Sequence, residues 1–211
     1  AVYRAEQNGS QTAVYTFDRY PKPTHCGYAK GSIDPEAVCE GEENGVKGLL
    51  QTQQQKTHRL MEEGIDYLLI QDFDDPFKQL SPVDFLDYVT KDLLQAKHIL
   101  VGEDFRFGKG ASGTIEILRA YCEENGIRLT SIASVNFMGE PISSTRIREA
   151  VREGDFPLVS QLLGRNYTLR GEVIHGNRLG RSFDFPTANF RPEVAKILPP
   201  YGVYVTRTKI D

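Results

Sequence analysis

The sequence has few cysteines and no long apolar run. Nothing in it approaches the roughly 20 consecutive apolar residues that cross a bilayer, which excludes the usual membrane-spanning protein. Ala1–Thr16 also lacks the layout of a signal peptide. The three cysteines, Cys26, Cys39 and Cys122, are odd in number and lack metal-ligand spacing. Free thiols in a globular cytoplasmic protein are therefore expected, rather than a disulfide framework.

A strong excess of basic residues is also missing, because the formal net charge is −4. A nucleic-acid-binding surface spread over the whole protein is therefore not expected. The charge is uneven, with eight Lys and Arg against four Asp and Glu from Arg165 to Asp211. A small basic module behind a larger acidic one would suit a polyanionic ligand such as ATP, and chance variation of the surface explains it equally well.

The first two-thirds of the chain alternates strand-like and helix-like stretches. The strand-like runs are Thr12–Phe17, Tyr67–Gln71, His98–Gly102 and Arg128–Val135. The helical patterns are Gln53–Glu63, Pro82–Gln95 and Thr114–Asn125, the second with a predicted cap at Ser81. This alternation predicts βαβ units, and hence an α/β fold with a parallel sheet that binds ligands at the carboxyl ends of its strands.

The pattern changes after Gly164. Tyr167–Ile174 and Tyr201–Ile210 are strand-like with no helix between them, which predicts an all-β module. Two helical stretches, Ser144–Arg152 and Phe156–Leu163, lead up to it. We therefore predict one domain over residues 1–163 and another over residues 164–211. The long segment Asp18–Leu49 has no clear period, and a loop of that length is usually functional or mobile.

The segment His175–Phe190 combines glycines with basic side chains and reads HGNRLGRSFDFPTANF. Glycine lets a backbone approach phosphate oxygens, and arginine supplies charge and forked donors. Thr187 and Asn189 lie two residues apart, so on an extended chain their oxygen atoms face the same side. Hydroxyl and amide oxygens suit Mg²⁺. A glycine-rich turn followed by a strand is the structural alternative, with about equal weight on the residues alone.

The segment Ile142–Arg148, ISSTRIR, is predicted to begin a helix near Ser144 or Thr145. A helix N-terminus with hydroxyl groups, and with the two arginines Arg146 and Arg148 one helical turn away, is suited to an anion. An ordinary N-cap followed by a surface helix explains the same residues.

A third segment, Val101–Gly113, follows a predicted strand and reads VGEDFRFGKGASG. Its Arg106 and Lys109 are weaker candidates for contacts with phosphate, and a charged loop from strand to helix is the alternative. Three phenylalanines are candidates either for a flavin-binding region or for core packing: Phe105, Phe107 and Phe137. His25, His58 and His98 have no ligand spacing and are predicted to be surface or core residues.

These segments resemble the bacterial bifunctional flavokinase/FAD synthetases. FPTAN after an HG turn is similar to their riboflavin kinase module, and ISSTRIR with GEDFRFGKG is similar to their branch of the nucleotidylyltransferases. The resemblance implies that Thr187 and Asn189 hold Mg²⁺. It also implies that Gly176, Gly180 and Arg181 line the ATP phosphates, and that Ser144, Thr145 and Arg148 steady phosphates during adenylyl transfer.

The resemblance also implies a fold and a reaction sequence. It implies a Rossmann-like parallel-sheet domain of the nucleotidylyltransferase type, followed by a small all-β barrel module. The enzyme would use ATP to phosphorylate riboflavin to FMN and then to adenylylate FMN to FAD. ATP and the flavin would be its small-molecule partners, without nucleic acid or membrane, and a homo-oligomer stays open.

The sequence departs from the family pattern at several points. Asp184 stands where the family usually has glycine, and Tyr20 stands where it usually has histidine. The family's GxFDGxHxGH loop and the glutamate base of its kinase module are not found, so we expect the natural sequence to continue at both ends. A member with a single activity, or a non-catalytic flavin- or nucleotide-binding regulator, is the alternative.

Overall fold

The computed structural model describes residues 2–17, 48–71, 75–175, 187–193 and 196–210. Its chain divides into two compact units, one formed by Ala1–His25 with Gln53–Asn136 and the other by Cys26–Thr52 with Phe137–Asp211. The predicted alternation of strands and helices is present in the first unit, where the strands pair in parallel.

The first unit contains two βαβ arrangements. Strand β1 (Ala13–Phe17) pairs in parallel with β2 (Tyr67–Gln71), and α2 (Gln53–Glu62) lies between them in the chain. Strand β3 (His98–Gly102) pairs in parallel with β4 (Arg128–Ile132), with α5 (Ile115–Glu124) between them. A short helix α1 (Val2–Gln7) precedes β1. The prediction of parallel βαβ units is confirmed, and β2 and β3 have the predicted bounds.

The start of the β1–β2 pair is fixed by Thr12 and Asp66. The backbone N–H and the hydroxyl of Thr12 donate to Asp66 Oδ2 at 2.7 and 2.8 Å, and the N–H of Asp66 donates back to the hydroxyl at 3.0 Å. These bonds to Thr12 lower the pKa of the Asp66 carboxyl, because they stabilise its charged form. The two strands therefore enter the sheet in one register.

Between the two pairs, a helix changes its hydrogen-bonding register. The short helix α3 (Asp75–Lys78) is followed by α4 (Pro82–Leu86), and Ser81 caps α4 by accepting a bond from the N–H of Asp84 at 3.2 Å. The segment Asp87–Leu93 then continues as a π-helix. The prediction of one regular helix over Pro82–Gln95 is wrong in this respect.

Contacts from another helix accompany this irregular turn. The Tyr121 hydroxyl donates to Asp87 Oδ1 at 2.8 Å and lies 3.0 Å from the hydroxyl of Thr90. Lys91 Nζ is 2.6 Å from the same Asp87 oxygen. Because a π-helix is intrinsically rare, we attribute its presence to these tertiary contacts rather than to local propensity. The core of the first unit lies beside it, formed by the buried side chains Phe85, Leu86, Val89, Phe107, Leu118, Tyr121 and Cys122.

The second unit is built on two capped helices. Helix α6 (Ser144–Glu153) ends at Gly154, with φ of 77°, and α7 (Phe156–Leu163) ends at Gly164, with φ of 66°. Glycine adopts this left-handed conformation without the steric penalty of other residues, which ends each helix. The two short strands before α6 are β5 (Asn136–Phe137) and β6 (Glu140–Pro141). The core is formed by Ile147, Ala150, Val151, Val159, Leu162 and Ile197.

The all-β part of the second unit is one antiparallel pair in the described residues. Strand β7 (Gly171–Ile174) pairs with β8 (Asn189–Pro192), and Ile174 lies opposite Asn189. The predicted strand over Tyr201–Ile210 is wrong, because that segment has no regular structure. Its Val203 and Val205 are fully exposed. A strand requires a neighbour to pair with its backbone groups, and the described residues supply none there.

Candidate functional site

The loop after β3 starts at the carboxyl edge of the β3–β4 pair. The N–H of Glu103 donates to the carbonyl of Ile132 at 3.0 Å, and Glu103 Oε1 accepts a bond from the N–H of Ser134 at 3.0 Å. Parallel α/β folds bind ligands at this edge. The sequence therefore places the GEDFRFGKG segment where the fold class predicts a site.

Two glycines allow this loop to pack closely. Phe107 and Gly113 exchange backbone hydrogen bonds of 3.3 and 2.8 Å. A Cβ atom at Gly113 would lie 2.6 Å from the Phe107 ring, and one at Gly108 would lie 2.8 Å from the backbone nitrogen of Pro82. Gly108 also has a φ of 69°, which favours glycine. In this loop, these glycines serve the fold of the protein.

The two basic residues of the loop are exposed. The side chains of Arg106 and Lys109 face solvent, while the N–H of Lys109 donates to the carbonyl of Leu80 at 2.7 Å. The pKa of Glu116 is lowered, mainly by its hydrogen bond to Thr114 and further by the positive charge of Arg106. The fixed backbone therefore presents two cations beside the carboxyl edge of β3.

The aromatic residues considered for the flavin pack in the cores. Phe107 is 5% exposed, and its ring stacks on Phe105 with centroids 5.4 Å apart. Phe105 packs against the core of the first unit, and Phe137 against that of the second. The sequence left open whether these three residues line a flavin-binding region or pack in a core, and the structure shows core packing.

The ISSTRIR segment forms the start of α6, as predicted. Ser143 is the N-cap, and its Oγ accepts a bond from the N–H of Arg146 at 3.2 Å. Ser144 and Thr145 follow as the first two helical residues, and both are exposed. Arg148 lies three and four positions later, so it shares their face of the helix. The three predicted phosphate-binding residues therefore lie within about one helical turn, with Ser144 and Thr145 exposed and Arg148 buried.

Arg146 holds the turn that leads into α6. Its Nη1 donates to the carbonyls of Phe137 and Glu140 at 3.0 and 3.1 Å, and its Nε lies 3.4 Å from Glu140 Oε2. Charge-assisted bonds of this kind are stronger than neutral ones. The first arginine of the motif therefore fixes the entry to the helix.

Arg148 is buried, with 5% of its surface exposed. Its Nε donates to the carbonyl of Gly48 at 2.9 Å. The predicted role of Arg148 in steadying phosphates stays a prediction, and the structure adds a structural contact that the motif did not indicate.

Thr187 and Asn189 precede and begin β8, and both are exposed. Their side chains offer a hydroxyl and an amide oxygen, the hard donors that Mg²⁺ accepts when it keeps several waters. In the part of the chain that the structure describes, no group of three or more His, Cys, Asp or Glu could hold a metal. A site of two protein oxygens completed by water and phosphate fits the residues present.

Several predicted residues lie outside the described residues. The phosphate-lining candidates are among them: Gly176, Gly180 and Arg181. So are Asp184 and Tyr20, which depart from the family pattern. The last group is residues 18–47 of the long segment, which include His25, Cys26 and Cys39. Their roles stay predictions.

The described histidines and cysteine are surface or core residues. His58 is exposed, 3.2 Å from Glu62. His98 Nε2 lies 2.9 Å from the hydroxyl of Thr130, and burial lowers its pKa. Cys122 is a buried free thiol with a pKa raised by burial, which makes it unreactive.

A buried lysine escaped the sequence analysis. Lys196 is 3% exposed, and its Nζ donates to the carbonyl of Leu50 and lies 4.5 Å from the centre of the Tyr167 ring. The Tyr167 hydroxyl donates to the carbonyl of Ile197 at 2.7 Å. Burial lowers the pKa of Lys196 to about 8 and raises that of Tyr167. The partners are too far apart in sequence for any local pattern to indicate them.

Residues 1–146 match the family model described as FAD synthetase. The chain belongs to the FAD synthetase family. Residues 163–211 match a second family model, described as riboflavin kinase. The two matches follow one another along the chain in the order that the sequence motifs predicted.

Three curated relatives share the name bifunctional riboflavin kinase/FMN adenylyltransferase. The protein of Listeria monocytogenes is 33% identical over 208 residues, and that of Bacillus subtilis is 31% identical over 214 residues. Each alignment covers 98% of this FAD synthetase family member and 60% of the relative. The Escherichia coli K12 protein is 37% identical over 150 residues, which cover 71% of this chain and 48% of that one. The chain thus spans about half to three-fifths of the length of these relatives.

A solved structure shares the fold. It is titled a macrolide-efflux protein from Streptococcus pneumoniae, and it is 28% identical with a TM-score of 0.74. The similarity covers 94% of this chain and 59% of that one. Among the described residues of this family member, no helix has both the length and the apolar character needed to cross a membrane.

Proposed function

We propose that this FAD synthetase family member belongs to an enzyme that phosphorylates riboflavin to FMN and adenylylates FMN to FAD, with ATP as donor in both steps. The observation that carries the proposal is the succession of a FAD synthetase match and a riboflavin kinase match on one chain. Relatives that bear both activities in their name align with nearly the whole of it.

In the adenylyl transfer, an oxygen of the FMN phosphate attacks the α-phosphorus of ATP. A new P–O bond forms as the bond to the β-phosphate breaks, and pyrophosphate leaves. Such transfers depend on positioning and on stabilising charge that builds up on the phosphates. The exposed Ser144 and Thr145 at the N-terminus of α6 supply hydroxyl donors and the positive end of a helix dipole. Arg148, one turn later, would add a positive charge from its buried position beneath this turn.

Arg106 and Lys109 are proposed as weaker contributors to phosphate binding. Their support is their exposure on a loop whose backbone is held at the carboxyl edge of β3. Their charges would attract ATP and orient it before the transfer.

In the kinase step, the 5′-hydroxyl of riboflavin attacks the γ-phosphorus of ATP, ADP leaves and the hydroxyl loses its proton. Thr187 and Asn189 are proposed to hold Mg²⁺, which would neutralise phosphate charge when bound. Gly176, Gly180 and Arg181 are proposed to line the phosphates, as the family resemblance implies. The exposure of Thr187 and Asn189 and their alternating spacing support this assignment.

We propose the same two-part organisation for the fold. The parallel β1–β2 and β3–β4 pairs would belong to one Rossmann-like sheet of the nucleotidylyltransferase type within residues 1–163. The antiparallel β7–β8 pair would belong to a barrel-type kinase module that begins at residue 164. A cytoplasmic location agrees with substrates that are soluble metabolites.

Two separate assays test the proposal. The purified protein is incubated with Mg²⁺ and ATP labelled at the γ-phosphate plus riboflavin, or labelled at the α-phosphate plus FMN. The proposal expects labelled FMN in the first assay and labelled FAD in the second. Label in only one product would support a member with a single activity. Flavin binding without either product would support a non-catalytic regulator.

A further inference from the structure

Three successive residues of the second compact unit, Gly48, Leu49 and Leu50, each have a backbone carbonyl that accepts a hydrogen bond from elsewhere in the same unit. The carbonyl of Gly48 accepts a bond from Arg148 Nε at 2.9 Å, and that of Leu49 accepts one from the N–H of Ile197 at 3.0 Å. The carbonyl of Leu50 accepts a bond from Lys196 Nζ. We call residues 48–50 the clamped segment.

The clamped segment lies close to its partners. Leu49 forms a parallel β-bridge with Lys196. A Cβ atom at Gly48 would lie 3.0 Å from Ile197 Cβ, a distance tighter than ordinary side-chain contacts. The Leu50 side chain packs against the core of this unit. Backbone bonds and apolar packing therefore fix the same three residues.

The clamped segment and two of its three partners lie in regions that match different families. Residues 48–50 fall within the FAD synthetase match, whereas Lys196 and Ile197 fall within the riboflavin kinase match. A stretch of the adenylyltransferase sequence is thus held by the kinase sequence. Neither motif nor family assignment indicates this dependence.

The clamped segment leads into a helix that contacts the carboxyl end of β1. Three residues after Leu50, the chain enters α2 (Gln53–Glu62). Within the first unit, Lys56 of α2 donates to the Thr16 hydroxyl at 3.1 Å and to the carbonyl of Phe17 at 3.0 Å. These are the last two residues of β1, at the edge where parallel α/β folds bind ligands.

From this connection we propose that Lys196 is a positioning residue for adenylyl transfer, acting from the kinase-matching sequence through the clamped segment. The inference rests on the proposed function. Lys196 acts by binding the Leu50 carbonyl, and it touches neither substrate nor reacting atoms in this role. Removing the bond releases the start of α2 and loosens the carboxyl end of β1.

The test compares Lys196→Met, which keeps the apolar stem and removes the donor, with Lys97→Met at an exposed lysine. Hydrogen exchange is followed at the Ile197 amide and in peptides covering residues 48–52. Loss of a charge-assisted bond to a partly buried carbonyl should accelerate this exchange about tenfold. Adenylyl transfer from ATP to supplied FMN should fall about tenfold, because small displacements near a reacting centre are costly. Riboflavin phosphorylation should fall less, and Lys97→Met should change none of these readouts.

Gly48→Ala provides a second route to the same clamp, since the added methyl would press on Ile197. It should also accelerate hydrogen exchange and slow adenylyl transfer. If circular dichroism shows that Lys196→Met does not fold, Gly48→Ala replaces it in the test. If the variants exchange faster but adenylyl transfer is unchanged, the inference is wrong and the proposed function stands. The same holds if hydrogen exchange in the variants is unchanged. Absence of adenylyl transfer in the unsubstituted protein would instead overturn the proposed function.

Discussion

Arg148 Nε and the carbonyl of Gly48 are joined by a hydrogen bond of 2.9 Å, although the residues are 100 positions apart in the chain. The arginine is buried and belongs to the motif that also presents Ser144 and Thr145. One side chain therefore connects a proposed phosphate-binding turn to the clamped segment. Its substitution should affect both stability and adenylyl transfer.

Replacing Arg148 with methionine should lower the free energy of unfolding by about 2 kcal/mol, because a charge-assisted bond is lost. Urea denaturation followed by circular dichroism measures this change. Arg119→Met, at an exposed arginine, is the control and should remain within about 0.5 kcal/mol of the unsubstituted protein. Equal stability of the two variants would contradict a structural role for Arg148.

Adjacent serines at the start of α6 should separate helix capping from phosphate binding. Ser143→Ala removes the bond to the Arg146 N–H and should cost about 1 kcal/mol of stability. Ser144→Ala removes an exposed hydroxyl and should leave stability within about 0.5 kcal/mol while slowing adenylyl transfer. Thermal unfolding and the FMN assay, run on both variants, measure these effects. A Ser144→Ala protein with full activity would remove Ser144 from the proposed site.

The buried Lys196 should make stability depend on pH in the alkaline range. Its pKa is about 8 in the folded protein, lowered by burial and further by Arg165, while Glu193 acts in the opposite direction. The unfolded state keeps this proton up to about pH 10.4, so it binds more protons between the two values. The free energy of unfolding should therefore gain a contribution that rises with pH, on the order of 1 kcal/mol per pH unit.

Urea denaturation at several pH values between 7.5 and 10 measures this dependence. Tyr167, which faces the Lys196 ammonium, has a pKa raised by burial and stays neutral in the folded protein over most of this range. The difference between the unsubstituted protein and Lys196→Met isolates the lysine from other titrating groups. Parallel curves for the two proteins would show that Lys196 does not titrate with a lowered pKa.

Local sequence patterns predicted the parallel strands, although the strand predicted over Arg128–Val135 ends at Ile132. Tyr67–Gln71 and His98–Gly102 are short runs of apolar residues whose neighbours break the pattern, and both strands have the predicted bounds. The start of α6 was also predictable, because a serine cap and an amphipathic run are local features. The observed helix ends lie within one or two residues of the predicted ones, as expected where capping sets the ends.

Features set by distant contacts were not predictable. The π-helix at Asp87–Leu93 is held by Tyr121, more than thirty residues later in the chain. The bond from Lys196 to Leu50 spans 146 positions. Tyr201–Ile210 has the composition of a strand, yet composition does not supply a partner strand. For the candidate site, the sequence identified residue types and spacing, while burial of Arg148 and Phe107 emerged only from packing.

The central claim is that one protein carries two chemically distinct sites, each with its own phosphate- or metal-binding residues. Asn189→Ala, paired with Asn166→Ala at another exposed asparagine as control, tests it most directly. Both activities are measured on each folded variant, with riboflavin or FMN as acceptor. Our account predicts that Asn189→Ala abolishes FMN formation and leaves adenylylation of supplied FMN measurable, while Asn166→Ala retains both. Equal loss of both activities in a folded Asn189→Ala protein would contradict it.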